Sequence, residues 1–326
     1  MKKRSTPDFW ARPGLAQAVL EPLAWANAVA GAARRAFAHP WRASVPVLCV
    51  GNVVAGGAGK TPVALSLARL LREKGARPFL LSRGYGGATA GPLVVDPARH
   101  DAALVGDEAL LLADAAPTII ARDRVLGARA AIAGGATFIV MDDGFQNPSL
   151  EKDGALLLVD GAYGFGNGSV IPAGPLRESV ASALARADAV VLIGDDEAGV
   201  APRLAGKPVL AADLAPIAGG VPAGALVAFA GIGRPPKFFR TLEAAGGRIA
   251  ARHEFPDHHP YEEAELRRLE AQAQDLGARL VTTAKDAARL PPPWRARVAV
   301  LDIEVRWRDA TALEHLLAPL LSRIHG

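Results

Sequence analysis

Cysteine is almost absent from this sequence, since Cys49 is the only one among 326 residues. A single cysteine excludes an intrachain disulfide framework and a zinc site built from cysteines, and it is typical of a reducing compartment. Long apolar runs are also missing, so the sequence predicts neither a signal peptide nor a membrane-spanning helix. We therefore expect a cytoplasmic location.

An excess of charge of one sign is missing as well, because 37 basic residues stand against 33 acidic ones. The net charge of +4 is dispersed, and no basic stripe alternates with aromatic residues, so no nucleic-acid partner is expected. Half of the residues are hydrophobic and 21% are charged, which excludes a disordered chain. The length favours two domains.

The composition of residues 1–40 predicts an amphipathic helix that faces a membrane. The stretch is rich in alanine and carries Trp10 and Trp25, while Glu21-Pro22 interrupts its apolar run before it is long enough to cross a bilayer. Basic residues lie toward both ends, at Lys2, Lys3, Arg4, Arg34 and Arg35. This composition suits a helix in the bilayer interface, and a helix packed against its own domain is the compatible alternative.

Beyond residue 40, short apolar runs alternate with helical stretches. The expected strands lie at 45–50, 78–81, 118–121, 137–141, 155–159 and 189–193, with helices such as 62–74 and 122–133 between them. This alternation predicts an α/β fold with a parallel sheet and helices on both faces.

A passage rich in Gly, Pro and Ala separates this stretch from a second, shorter alternation. We predict a core domain at 41–205, a linker at 206–224 and a smaller carboxyl-terminal α/β domain at 225–326. Within the smaller domain, one strand is expected at 298–305 and a final helix at 310–324.

The strongest chemical signal is the glycine-rich segment 51–61, which follows the first strand and opens a helix. In a P-loop, backbone N–H groups surround phosphate oxygens, a lysine reaches the outer phosphates and a hydroxyl binds Mg²⁺. Val54 stands where the strict pattern has its first glycine. The segment predicts a P-loop NTPase-like sheet that binds ATP through Val54, Ala55, Gly56, Gly57, Ala58, Gly59, Lys60 and Thr61.

Two carboxylates, Asp142 and Asp143, follow the apolar strand at 137–141. An Asp pair after a strand is by itself an ordinary turn or helix cap. Next to a P-loop, however, the pair is expected to hold Mg²⁺ together with Thr61.

Two further segments carry groups that could move a proton. Gly106-Asp107-Glu108 precedes an apolar helix, where the acids either cap the helix or include a base for an attacking hydroxyl. Asp257-His258-His259 precedes a later helix. Without further ligands it does not predict a zinc site, and a histidine that handles a proton is the better interpretation.

Several motifs together resemble one family, the tetraacyldisaccharide 4'-kinases of lipid A biosynthesis. The blocks occur in the family's order over nearly the whole chain: GN and GGAGKTP from 51, SRGYGG from 82, GDE from 106, DDGFQN from 142, PAGPLRE from 172, FAGI from 229, DHH from 257 and TTAKD from 282. The resemblance implies transfer of the ATP γ-phosphate to the 4'-hydroxyl of a tetraacyl glucosamine disaccharide 1-phosphate, giving lipid IVA.

The resemblance also implies a Mg²⁺-dependent enzyme that is peripheral on the cytoplasmic face of the inner membrane, and no required protein partner is inferred. By position, Asp107 matches the catalytic aspartate, with His258 as its partner and His259 as the alternative. The remaining matches lie around magnesium, phosphate and substrate: Glu108, Asp142, Asp143, Gln146, Arg124 and Arg177. From the P-loop alone, a nucleotide-dependent switch or assembly ATPase at the membrane is the alternative function.

Overall fold

The computed structural model describes residues 7–324, so the predicted basic residues Lys2, Lys3 and Arg4 lie outside the described part. The helices are α1 Leu15–Ala36, α2 Lys60–Glu73, α3 Ala102–Val105, α4 Asp107–Ala113, α5 Arg124–Ala133, α6 Val180–Arg186, α7 Pro235–Ala244, α8 Glu263–Asp275, α9 Ala284–Ala287, α10 Pro292–Arg295 and α11 Ala310–Ser322. The strands are β1 Val47–Asn52, β2 Pro78–Ser82, β3 Leu93–Val94, β4 Thr118–Ile120, β5 Phe138–Asp142, β6 Gly154–Asp160, β7 Ala189–Ile193, β8 Val209–Pro216, β9 Ala225–Ala230, β10 Arg248–Glu254, β11 Ala278–Thr283, β12 Ala299–Leu301 and β13 Ile303–Trp307.

A nine-stranded sheet in the order β13-β8-β7-β6-β1-β5-β2-β4-β3 forms the larger domain. Its strands are parallel except for the edge strands β3 and β13. All residues of β1 and β5 are buried, because helices cover both faces of the sheet. Helices α2 and α11 pack on one face, while α1, α5 and α6 pack on the other. The carboxyl ends of β1, β5 and β6 therefore meet at one edge.

The smaller domain is a four-stranded parallel sheet in the order β10-β9-β11-β12. Side chains of α8 and α10, including Leu266 and Trp294, fill the space on one face. On the other face, Phe238, Phe239 and Leu242 of α7 pack against β9. This domain presents the loop after β9 and the helix α9 to the larger domain.

The domain boundaries differ from the predicted ones at the linker and at the carboxyl end, where β13 and α11 of the predicted domain 225–326 belong to the larger domain. The predicted linker 206–224 contains β8, which pairs with both β7 and β13 in the large sheet. The expected strand at 298–305 is two strands, since β12 belongs to the small sheet and β13 returns to the large one. Alanines and flanking prolines give β8 a weak strand pattern, and its two neighbours impose the extended conformation.

Helix α1 contacts the larger domain through a side that combines small apolar residues, including the buried Ala24, with polar side chains. The Gln17 amide donates to Ser169 Oγ at 2.7 Å, the Asn27 amide donates to the Ile171 carbonyl at 2.9 Å, and Arg35 lies 3.3 Å from Glu178. The large apolar side chains that remain exposed are Leu15, Val19, Leu23, Trp25 and Val29, with Phe37 just beyond the helix. The helix is thus docked with most of its large apolar side chains facing outward. None of the helices within residues 7–324 has the length and hydropathy that a bilayer span requires.

Candidate active site

The glycine-rich segment forms the turn between β1 and α2. Gly56 and Gly59 have φ angles of 127° and 81°, a region that residues with a side chain rarely adopt. A Cβ atom on Gly56 or Gly57 would meet no other atom within 4 Å, so space remains beside both residues. The turn therefore has the backbone freedom and the open space that a phosphate-binding loop requires.

The segment 172–178 supports the first half of this loop. The Ala55 N–H donates to the Pro175 carbonyl at 2.8 Å, and the Arg177 N–H donates to the Val53 carbonyl at 2.7 Å. Val54 itself forms an antiparallel β-bridge with Leu176 of this segment. In the second half of the loop, Ala58 is buried in the core next to α2. The predicted PAGPLRE motif thus acts on the conformation of the P-loop.

Lys60 begins α2 and is buried beside the end of β1. Its Nζ atom lies 3.2 Å from Asn52 Oδ1 and 3.7 Å from Asp143 Oδ1. The Asn52 amide donates to the carbonyls of Val54 and Gly56 at 2.8 and 3.4 Å. Asn52, which was not predicted as a site residue, therefore shapes the loop and holds its lysine.

Asp142 ends β5 directly beside β1, because the two strands pair in parallel with Val50 opposite Asp142. It is 1% exposed, and neither of its carboxylate oxygens has a hydrogen-bond partner within residues 7–324. Burial, followed by repulsion from Glu108 and Asp143, raises the pKa of Asp142 to about 7. A buried carboxylate in this condition is one that a bound cation would stabilise.

Magnesium fits this donor set. Mg²⁺ prefers hard oxygen ligands and is held in nucleotide sites by one or two carboxylates together with phosphates and water. The available donors are Asp142, Asp143, Glu108 and the Thr61 hydroxyl in the first turn of α2. In the described part of the chain, no three His, Cys, Asp or Glu side chains could enclose a metal without other ligands. That is expected for an ion shared with phosphates.

Asp143 follows β5 with a φ of 52°, which is uncommon for a residue with a side chain. Arg177 Nη1 donates to Asp143 Oδ1 at 2.9 Å. Burial would raise the pKa of Asp143, but the charges of Lys60 and Arg177 outweigh it and lower the pKa. The Gln146 amide donates to the Asn52 carbonyl at 2.9 Å. Asp143, Gln146 and Arg177 therefore lie together around the P-loop.

Arg124 begins α5 and is 3% exposed. Its Nη1 donates to the Ala121 carbonyl, while its Nε has no partner among the described residues. Burial, followed by the charge of Arg83, lowers the pKa of the guanidinium. A buried guanidinium with an unused N–H and a second arginine nearby is suited to an anion.

Asp107 and His258 are 151 positions apart in the sequence and meet between the two domains. His258 Nδ1 lies 2.9 Å from Asp107 Oδ2, and Asp107 Oδ1 accepts from the Glu108 N–H at 2.9 Å. The adjacent His259 points elsewhere, with its Nε2 atom 2.8 Å from Glu265. Of the two histidines, His258 is therefore the one that contacts Asp107.

Two cations of the smaller domain lie beside this pair, and neither was predicted from the sequence. Lys285 Nζ is 2.7 Å from Glu108 Oε1, and Arg289 Nε is 3.3 Å from Asp107 Oδ2. Burial would raise the pKa of Asp107, but the hydrogen bond from His258 and the charges of Lys285 and Arg289 outweigh it. The pKa of Asp107 thus lies below its ordinary value, so the carboxylate is ionised at neutral pH. Lys285 lies in the TTAKD block, which was the sequence signal that could have identified it as a site residue.

A glycine-rich turn between the central strand of a parallel sheet and a helix, with a lysine, a threonine and carboxylates on the next strand, defines a P-loop nucleotide-dependent protein. Comparison with known proteins narrows this class. The family model described as tetraacyldisaccharide-1-P 4'-kinase (LpxK) matches residues 16–322.

Individual relatives agree with the family match. The tetraacyldisaccharide 4'-kinase of Rhodospirillum centenum is 55% identical over 325 residues, covering 97% of this chain and 96% of that protein. The tetraacyldisaccharide 4'-kinase of Gluconacetobacter diazotrophicus is 54% identical over 319 residues, with coverages of 95% and 96%. A crystal structure described as an "apo" form of LpxK from Aquifex aeolicus in complex with ATP covers 94% of this chain and 100% of its own, with a TM-score of 0.76 and 25% identity.

The chain belongs to the tetraacyldisaccharide 4'-kinase family. It is a kinase, and both the family resemblance of its motifs and the predicted α/β fold with a P-loop-type parallel sheet are confirmed.

Replacing Asp142 by Asn should stabilise the ligand-free protein at neutral and alkaline pH. The unfolded carboxyl ionises near pH 4, whereas the folded one keeps its proton until a pKa of about 7. The native state therefore binds more protons across this interval, so its free energy of unfolding falls as the pH rises. We expect the advantage of Asp142→Asn in thermal melts to grow by on the order of 2 kcal/mol between pH 5 and pH 8.

The exposed Asp275 offers a control, since Asp275→Asn should change the melting temperature little at any pH. An advantage of Asp142→Asn that does not depend on pH would contradict a buried, uncompensated charge.

Proposed function

We propose that this kinase transfers the γ-phosphate of ATP to the 4'-hydroxyl of a tetraacyl glucosamine disaccharide 1-phosphate, giving lipid IVA, at the cytoplasmic face of the inner membrane. The observation that carries the proposal is the Asp107–His258 contact, which places a carboxylate and an imidazole from different domains next to the P-loop carboxylates. A nucleotide-binding loop alone has no need of such a pair, whereas transfer to an alcohol does.

The phosphate end of ATP is assigned to the P-loop. The N–H groups from Gly56 to Gly59 and the Nζ atom of Lys60 neutralise the outer phosphates, whereas the Ala55 N–H is already used by the Pro175 carbonyl. Thr61, Asp142, Asp143 and Glu108 would hold Mg²⁺, which would supply positive charge to the phosphate oxygens. Arg124 has an unused N–H for an anionic group of either substrate, and Arg177 orients Asp143 and Gln146.

The acceptor end is assigned to Asp107. The bond between the γ-phosphorus and the β–γ bridging oxygen breaks, ADP leaves, a bond forms between the sugar oxygen and phosphorus, and the hydroxyl proton passes to the Asp107 carboxylate. His258 and Arg289 hold that carboxylate in place. Since the lowered pKa makes Asp107 a weak base, this route requires an alcohol that loses its proton late, as a loose transition state provides.

The helix α1 is assigned to the bilayer. Its polar side is occupied by contacts with Ser169, Ile171 and Glu178, while Leu15 and Trp25 on the other side are 84% and 71% exposed. An apolar face of this kind lies in the headgroup region of a membrane, where a four-chain lipid is available. The enzyme is therefore proposed to bind the membrane peripherally.

Incubation with γ-labelled ATP, Mg²⁺ and the acylated disaccharide 1-phosphate in detergent tests the reaction. We expect the label to enter the lipid with wild-type protein, and Asp107→Asn to lower that rate by about 100-fold or more while Asp275→Asn leaves it unchanged. An acceptor that lacks the 4'-hydroxyl should stay unlabelled. Rapid release of phosphate without any acceptor would instead favour a switch or assembly ATPase.

Lys60 should contribute more to the rate than His258. Charge neutralisation on the phosphate is required throughout a loose transition state, whereas His258 acts only by holding the base. We expect Lys60→Ala to lower kcat by about 1000-fold and His258→Ala to lower it by about 100-fold. Equal losses of kcat in the two variants would contradict this ranking.

Membrane binding should depend on the exposed side of α1. Replacing Leu15, Val19 and Trp25 together by Ser removes apolar area without touching the polar contacts, so co-sedimentation with vesicles of inner-membrane lipids should fall at least about tenfold. Leu276→Ser, at an exposed apolar residue of the smaller domain, is the matched control. Unchanged sedimentation of the triple variant would rule out α1 as the membrane contact.

A further inference from the structure

The two domains meet a second time at the P-loop and the carboxyl end of β6. There the loop 231–234 joins β9 to α7 and lies over the phosphate loop, so that a Cβ atom on Gly233 would be 4.0 Å from the Gly57 nitrogen. The start of this loop is fixed within the smaller domain, because the Gly231 N–H donates to Asp286 and its carbonyl accepts from Arg289. Arg234 at its end therefore has a defined position.

One nitrogen of Arg234 joins the P-loop to the carboxyl end of β6. Its Nη2 atom donates to the Gly57 carbonyl at 2.9 Å and to Asp160 Oδ2 at 2.6 Å. Asp160 is 4% exposed and also accepts from Lys237 Nζ at 2.8 Å. The guanidinium lies over the Tyr163 ring at 5.1 Å. Within residues 7–324, no other side chain of the smaller domain donates to a P-loop carbonyl.

This contact acts on one peptide unit of the phosphate loop. The Gly57 carbonyl and the Ala58 N–H belong to one planar trans peptide, in which the two groups point in opposite directions. Holding the carbonyl toward Arg234 therefore turns the Ala58 N–H away from the smaller domain and into the loop. P-loops bind phosphate oxygens through N–H groups of this kind. Without Arg234, this peptide would lose the hydrogen bond to its carbonyl.

We propose that Arg234 is a positioning residue for ATP, which fixes the Gly57–Ala58 peptide for phosphate binding while Asp160 holds its guanidinium in place. The inference rests on the proposed use of ATP. Lys237 shares the Asp160 carboxylate but does not touch the P-loop. The smaller domain thus contributes two residues to the site: Arg234, which aligns the P-loop, and His258, which lies at the acceptor site.

Calorimetric titration with a non-hydrolysable ATP analogue and Mg²⁺, together with steady-state kinetics, tests this role. Arg234→Ala should raise the Kd for the analogue and the KM for ATP about tenfold, with the KM for the lipid acceptor unchanged and kcat altered less than about threefold. Lys237→Ala, the matched control on the same carboxylate, should change the KM for ATP less than about threefold. Arg234→Lys, which keeps a cationic donor, should restore most of the affinity.

Equal increases in the KM for ATP in Arg234→Ala and Lys237→Ala would overturn the proposal, since the cause would then be the lost ion pair with Asp160. An unchanged Kd in Arg234→Ala would also overturn it. If Arg234→Ala does not fold, Arg234→Lys and Arg234→Gln decide, because the positioning role requires the glutamine variant to bind the analogue more weakly. Binding of the analogue needs no acceptor, so a wild-type protein that binds it without phosphorylating the lipid would refute the proposed function and leave this inference standing.

Discussion

Negative charge buried at the carboxyl edge of the large sheet is the constraint on which the rest of the structure depends. Asp107 and Asp142 are almost inaccessible to water, and a carboxylate in that position is stable as an ion only beside cations or donors. The larger domain supplies Lys60 and Arg177, which lie beside the neighbouring Asp143. The smaller domain supplies the rest, namely His258, Lys285 and Arg289. The charges that perform the chemistry therefore also hold the domains together.

The sheet core and the P-loop could be predicted because their signals are local. Strands β1 and β5 are buried on both faces and so appear as continuous apolar runs. The loop depends on glycines at defined positions followed by Lys60, and these are adjacent in the sequence. Asp142 and Asp143 likewise end one strand. In each case a single segment contains both the structural and the chemical information.

The remaining features depend on contacts between distant segments. Arg234 gains its position from Gly57, 177 residues earlier, and nothing near Arg234 in the sequence indicates that partner. Strand β8 is extended because β7 and β13 pair with it, although its alanines only weakly favour a strand. Asp143 and His258 adopt positive φ angles that only their surroundings can stabilise. The reacting groups could therefore be predicted from sequence motifs more readily than the groups that hold them in position.

The order of the strands has a consequence for synthesis of the protein on the ribosome. β13 and α11 belong to the larger domain, yet they follow the whole of the smaller domain in the chain. Leu313 and Leu317 of α11 pack in the same core as α2, the helix that carries Lys60. A nascent chain that has already emerged as far as residue 302 still lacks β13 and α11, so α2 has not yet gained its contacts with α11. The catalytic helix therefore acquires its full support only when translation is nearly complete.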